Sequence, residues 1–248
     1  MPRRPRTRSA AAAFLAALAF VGTGCARTVS GSAQPAAADP TLCATAVIFV
    51  LDVSLSMEAT DVAPNRLLVA QQAAKEYAVG LGPEVQLGLV TFAGTAQVQV
   101  HPTTDRAPFL AAVDAVELAE RTATGEALFS ALATLGTLDT LAGVDGPRRI
   151  ILISDGKQTV PAELDAPRGA YTAADAARSA NVAVSAISLG TALGVVDVPN
   201  VTGPAHRVQV PADPDSLREI AQRSGGDFWS ATTQPALSAA LSAMTCHR

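Results

Sequence analysis

Four uninterrupted runs of β-forming apolar residues recur along this chain: VIFVLD (Val47–Asp52), VQLGLVTF (Val85–Phe92), RIILIS (Arg149–Ser154) and VAVSAISL (Val182–Leu189). None alternates polar with apolar, so each reads as a strand buried on both faces. Between them lie segments of helical period. In Asn65–Leu81 the apolar residues Leu67, Leu68, Ala70, Ala74, Tyr77 and Ala78 share a face, and Gly82 and Pro83 stop the helix. Further helices are predicted over Thr104–Val116 (Asp105 as cap), Gly125–Leu138, Thr172–Ser179, Asp215–Ser224 (stopped by Gly225 and Gly226) and Pro235–Met244. Gly94 breaks the second strand and makes Ala96–Val100 its hairpin partner, antiparallel at an edge. Phe228 and Trp229 mark a short last strand. Strand–helix alternation predicts an α/β fold: a Rossmann-like, doubly wound, mostly parallel six-stranded sheet with one antiparallel edge strand and helices on both faces. The chain is 49 % hydrophobic but only 4 % aromatic, so its core must be built from Ala, Val, Leu and Ile.

The first residues do not fit this pattern. Four arginines precede an apolar run, Ala10–Val21, and small residues then lead to Cys25. That three-part order reads as a secretory signal over residues 1–24. The run is shorter than the roughly 20 residues needed to span a bilayer. Thr23, Gly24 and Cys25 resemble a bacterial lipoprotein signal, in which the cysteine is lipidated and becomes the mature N-terminus; Gly22 departs from that pattern. Residues 25–40 are small and polar and read as a flexible tether, leaving 41–248 as the folded domain. This predicts an exported protein, lipid-anchored on the outer side of the cell membrane. Removal of residues 1–24 leaves 14 Lys+Arg against 22 Asp+Glu, a net charge of −8, which argues against nucleic acid or an anionic bilayer as main partner. Cys43 and Cys246 bracket the domain, and in an exported chain such a pair reads as a disulfide.

Sheets of this kind place their sites at the carboxyl ends of the strands, where strand order reverses. Two strands end in an acid, at Asp52 and Asp155. Asp52, Ser54 and Ser56 alternate, and in extended chain such residues point the same way. Thr122 and Asp155 complete a ring of five oxygen donors if their loops lie beside the first. With no His or Cys among them, the set selects a hard cation, Mg²⁺, Ca²⁺ or Mn²⁺. Only two of the five carry charge, so the ion would seek a further anionic ligand. Each residue alone has an ordinary reading as a cap or turn residue.

In this order, DVSLS (Asp52–Ser56), RTATG (Arg121–Gly125) and ISDG (Ile153–Gly156) resemble the metal-ion-dependent adhesion site of von Willebrand factor A-type domains, the integrin I domains. VQLGLVTFAG, PTTDR and DSLREIA followed by Gly225 and Gly226 are similar to bacterial members, and the resemblance covers about residues 44–244. Spacing to the following Gly-x-Ala-Leu favours Thr122 over Thr124. Glu120 and Arg121 stand where the family usually has two glycines. The resemblance implies metal-dependent binding of another protein, whose acidic side chain completes the coordination, by a monomer. Alternatives are an accessory subunit of a transport, secretion or cell-wall complex, or a metal-dependent hydrolase. Against catalysis, the chain lacks G-x-S-x-G, H-E-x-x-H, Walker and Rossmann glycine motifs. The histidines are scattered, His101 at the end of an edge strand, His206 in a Pro/Gly loop and His247 in the tail, and read as surface residues, so no enzyme is expected.

Overall fold

The computed structural model describes residues 43–141, 146–198 and 206–245. The signal, the tether, Cys25, Cys246 and His247 lie outside them. All described residues fall within the unit Ala38–Arg248.

Eight strands and six helices follow in the order β1 (Ala46–Asp52), α1 (Arg66–Gly80), β2 (Gln86–Phe92), β3 (Ala96–Thr103), α2 (Ala107–Asp114), α3 (Thr124–Leu141), β4 (Arg148–Ser154), α4 (Ala170–Ser179), β5 (Val182–Leu189), β6 (Val195–Val198), β7 (His206–Gln209), α5 (Pro214–Ser224), β8 (Phe228–Ala231) and α6 (Gln234–Ala243). A 3₁₀ turn, Leu55–Glu58, follows β1. The main sheet runs β3-β2-β1-β4-β5-β8. Every pairing in it is parallel except β2 with β3. This is the predicted α/β sheet with its antiparallel edge.

Both faces are covered because the strands are apolar on both. From β1, Val47, Phe49 and Leu51 enter one core, with the buried faces of α1, α2 and α6. Ala46, Ile48 and Val50 enter the other, under α3, α4 and α5. Phe49 is fully buried, 5.9 Å edge-on from Phe109 and 6.0 Å from Tyr77. Elsewhere alanines dominate, such as Ala170, Ala173, Ala174 and Ala177 along α4, and let helices sit close to the sheet.

Three local features differ from the sequence reading. A second sheet, the antiparallel hairpin β6–β7, was not anticipated. Its strands are short and mostly exposed, so they carry no apolar run to betray them. His206 consequently opens a strand instead of lying in a Pro/Gly loop. Helix α2 is shorter than expected. Asp105 Oδ1 accepts from Ala107 N at 3.0 Å, two residues on, and Arg106 occupies the cap position.

Candidate metal centre

Strands β1 and β4 are neighbours, but the chain leaves β1 towards β2 on one side and reaches β4 on the other. Strand order therefore reverses between their carboxyl ends, which opens a crevice there. Asp52 closes β1 and Asp155 follows β4, so both acids flank that crevice.

The loop after β1 is held on both sides. Val53 N donates to Phe92 O (2.8 Å) and Ala119 N to Val53 O (2.9 Å), while Ser54 forms a parallel bridge with Ala119. Ser54 is thus extended (φ −67°, ψ 157°). Extension ends there: Met57 N donates to Ser54 O at 2.9 Å and the chain winds into the 3₁₀ turn. Expected alternation through Ser56 is replaced by this turn, yet Ser54 Oγ and Ser56 Oγ lie 3.0 Å apart. Asp52 sits behind them, with Oδ1 accepting from Ser54 N (2.8 Å) and Oδ2 from Ser154 Oγ (2.5 Å).

Thr122 reaches the crevice from a loop clamped twice. Ala123 N donates to Ala93 O, and Thr122 and Thr159 hold each other through Thr159 N to Thr122 O (2.8 Å) and Thr122 N to the side-chain Oγ1 of Thr159 (2.8 Å). Asp155 is fixed by the turn after it. Gly156 has φ +96°, and a Cβ there would lie 2.2 Å from Asp213 O. Only glycine fits so near the cap of α5. Asp213 N in turn donates to Asp155 O at 2.6 Å.

Ser54, Ser56, Thr122 and Asp155 line one cleft of about 250 Å³, with Arg121, Lys157, Thr159 and the segment 208–211. The five predicted residues are therefore brought together from three loops, Asp52 as the floor behind Ser54. Thr122 lines the cleft, whereas Thr124 is buried at the start of α3. Among the described residues no group of three His, Cys, Asp or Glu side chains gathers anywhere, so hydroxyls must supply much of any cation site.

The electrostatics call for positive charge. Burial, and next the neighbouring charge of Asp155, push the Asp52 carboxyl up to about 7. Burial raises Asp155 as well, against its hydrogen bonds and Arg66. Two acids in a dry crevice destabilise each other's charged forms, and a cation between them removes that cost. An all-oxygen set with two acids fits a hard divalent ion. Asp52, Ser54, Ser56, Thr122 and Asp155 would hold it, and bound there it would present a Lewis-acidic position to an incoming oxygen ligand.

Two residues of this site were not singled out from sequence. Arg66, fully buried, places Nη1 3.0 Å from Asp155 Oδ2 and grips Asp61 with Nε and Nη2, both at 2.8 Å. One signal for it exists: Asn65 caps α1 through Leu68 N, so Arg66 is a cation in a helix first turn, where the dipole disfavours it.

A doubly wound sheet with a hydroxyl-and-acid crevice at its switch point is the layout of von Willebrand factor A domains, and residues 47–158 match the family model described as von Willebrand factor type A domain. The chain has bacterial relatives. It is 53 % identical over 200 residues to a UPF0353 protein of Nocardia farcinica, covering 78 % of this chain and 60 % of that one. The chain spans 55–60 % of the length of the curated relatives it matches. Among solved structures, the conserved hypothetical protein BatB from Bacteroides thetaiotaomicron superposes with a TM-score of 0.66 at 25 % identity, over 81 % of this chain and 98 % of that one. Proximal thread matrix protein 1 from the mussel byssus, with a zinc-occupied MIDAS motif, superposes with a TM-score of 0.56 at 20 % identity, over 82 % and 46 %. At that identity only the fold is shared evidence.

Proposed function

We propose that this chain is a metal-dependent protein-binding module. A divalent ion, Mg²⁺ by the hardness of the donors, sits on Asp52, Ser54, Ser56, Thr122 and Asp155, and an acidic side chain of another protein binds to it. The observation that carries this reading is the convergence of Ser54, Ser56, Thr122 and Asp155 on one cleft at the strand-order reversal, with Asp52 bonded behind Ser54. Its rim supports an acidic visitor, since Arg121 and Lys157 both line the cleft. The reading takes the role as binding, since the hydroxyls and acid lining the cleft suit a cation and an incoming acidic oxygen.

The module acts outside the cytoplasmic membrane, held by lipid on Cys25 after loss of residues 1–24, and works as a monomer without nucleic acid. Among the described residues no helix is long and apolar enough to cross a membrane. A disulfide between Cys43 and Cys246 ties the domain's ends. Met244 supports it, because it lines the same cavity as Cys43 and its carbonyl accepts from Arg149 Nη1 at 3.3 Å. Adhesion and service as an accessory subunit of a transport, secretion or cell-wall complex use the same chemistry.

The test is magnesium titration by calorimetry on chelator-stripped wild type and Asp52→Ala, followed by pull-down with and without chelator. Binding by wild type alone is expected. An Asp52→Ala protein that binds Mg²⁺ like wild type would remove the site.

A further inference from the structure

Only two of the five oxygen ligands are acids, and part of the charge of one of them, Asp155, is taken up by Arg66. Its guanidinium is fully buried and divided between two acids. Nη1 faces the cleft, 3.0 Å from Asp155 Oδ2 and 3.4 Å from Ser56 O. Nε and Nη2 are each 2.8 Å from an oxygen of Asp61. Nη2 also donates to Val210 O at 3.0 Å. Asp61 is held in turn by Thr191, whose N and Oγ1 donate to Oδ2 at 2.7 and 2.8 Å.

The wall around this cation is built to its shape. A Cβ on Gly194 would lie 2.0 Å from Nη2, and one on Gly190 2.6 Å from Cζ. A guanidinium in a helix first turn has the dipole against it, and a buried charge is costly unless paired. Both costs are offset by the acids on its two sides, helped by the carbonyls of Ser56 and Val210.

We propose that Arg66 is the positioning and charge-setting residue of the metal centre: it holds Asp155 in place, takes up part of its charge, and so deepens the deficit that a partner's acid fills. Asp61 sets how strongly it does so, by drawing the guanidinium's charge away from the cleft. This rests on the metal-binding reading above. It yields effects of opposite sign from two halves of one ion pair. Arg66→Met frees the charge of Asp155 and should tighten Mg²⁺ binding by about tenfold or more, because charges this close interact strongly in a partly dry site. Asp61→Asn leaves Arg66 acting on the cleft alone and should weaken it by about tenfold. The double variant restores the balance and should lie near wild type. Arg66→Lys keeps the charge without the fork and should bind closer to wild type than Arg66→Met.

The experiment is Mg²⁺ titration by calorimetry on the full chain stripped with chelator, for wild type, Asp52→Ala and these four variants. Urea unfolding of each metal-free protein reports its folding independently. Tighter binding by Arg66→Met with weaker binding by Asp61→Asn supports the proposal. Equal weakening in both, as a merely structural brace predicts, or no change in either, overturns it. Should Arg66→Met not fold, Asp61→Asn decides: affinity at or above wild type overturns the proposal. If wild type takes no Mg²⁺, or Asp52→Ala takes it equally well, the metal-binding reading itself falls.

Discussion

At the scale of single residues, the buried acids dominate. Asp52 titrates near 7 when folded and no metal is bound, far above the ordinary range of a carboxyl, through burial first and Asp155 second. Its folded state therefore holds a proton that the unfolded state has lost between about pH 4 and 7. Metal-free stability should fall as pH rises through that window. Magnesium, which favours the ionised acid, should stabilise more at pH 8 than at pH 6. Urea unfolding with chelator and with Mg²⁺ at both pH values checks this, and equal increments would contradict it. Arg121 offers a second test. It adopts φ +71°, a left-handed conformation that strains any residue with a Cβ, beside the cleft. Arg121→Gly should raise stability by about 1 kcal/mol in thermal unfolding while removing a cation from the rim. Asp52 and Asp155 were legible because each ends an apolar run. Asp61 and Arg66 were not, since their meaning lies in the contact of Arg66 with Asp155, 89 positions later.

At the scale of elements, the turns and caps after the strands hold the site. Asp213 caps α5, accepting from Ser216 N at 3.2 Å and Ser216 Oγ at 2.6 Å, while its own N–H donates to Asp155 O. Asp213→Ala should cost about 1 kcal/mol, as cap losses do, and should also lower Mg²⁺ affinity by loosening the Asp155 turn. Denaturant unfolding and titration of one variant measure both; a stability loss with unchanged affinity would detach the cap from the site. The core responds differently. Phe49→Ala should cost about 3–5 kcal/mol by leaving a cavity between Tyr77 and Phe109, with metal affinity retained in whatever remains folded. Helix positions were legible from period and stop signals. The β6–β7 hairpin was not: exposed four-residue strands have no buried face to impose a pattern. Yet Val208 and Gln209 of β7 line the cleft.

At the scale of the whole molecule, ligand binding and folding are linked. Mg²⁺ at a hundredfold excess over its dissociation constant should stabilise the domain by about 2.7 kcal/mol, read as a rise in melting temperature that chelator reverses and Asp52→Ala abolishes. By itself the sequence determined the sheet, the covering of both its faces, and which strand ends carry acids. Those follow from local periodicity and from the rule that apolar runs must be buried on both sides. Only tertiary structure decided that Ser54 and Ser56 meet across a 3₁₀ turn and that a buried arginine shares its charge between Asp61 and Asp155. Side-chain periodicity is written in neighbouring residues, whereas electrostatic balance depends on distances between loops far apart in the chain, and those distances exist only once the strands have paired.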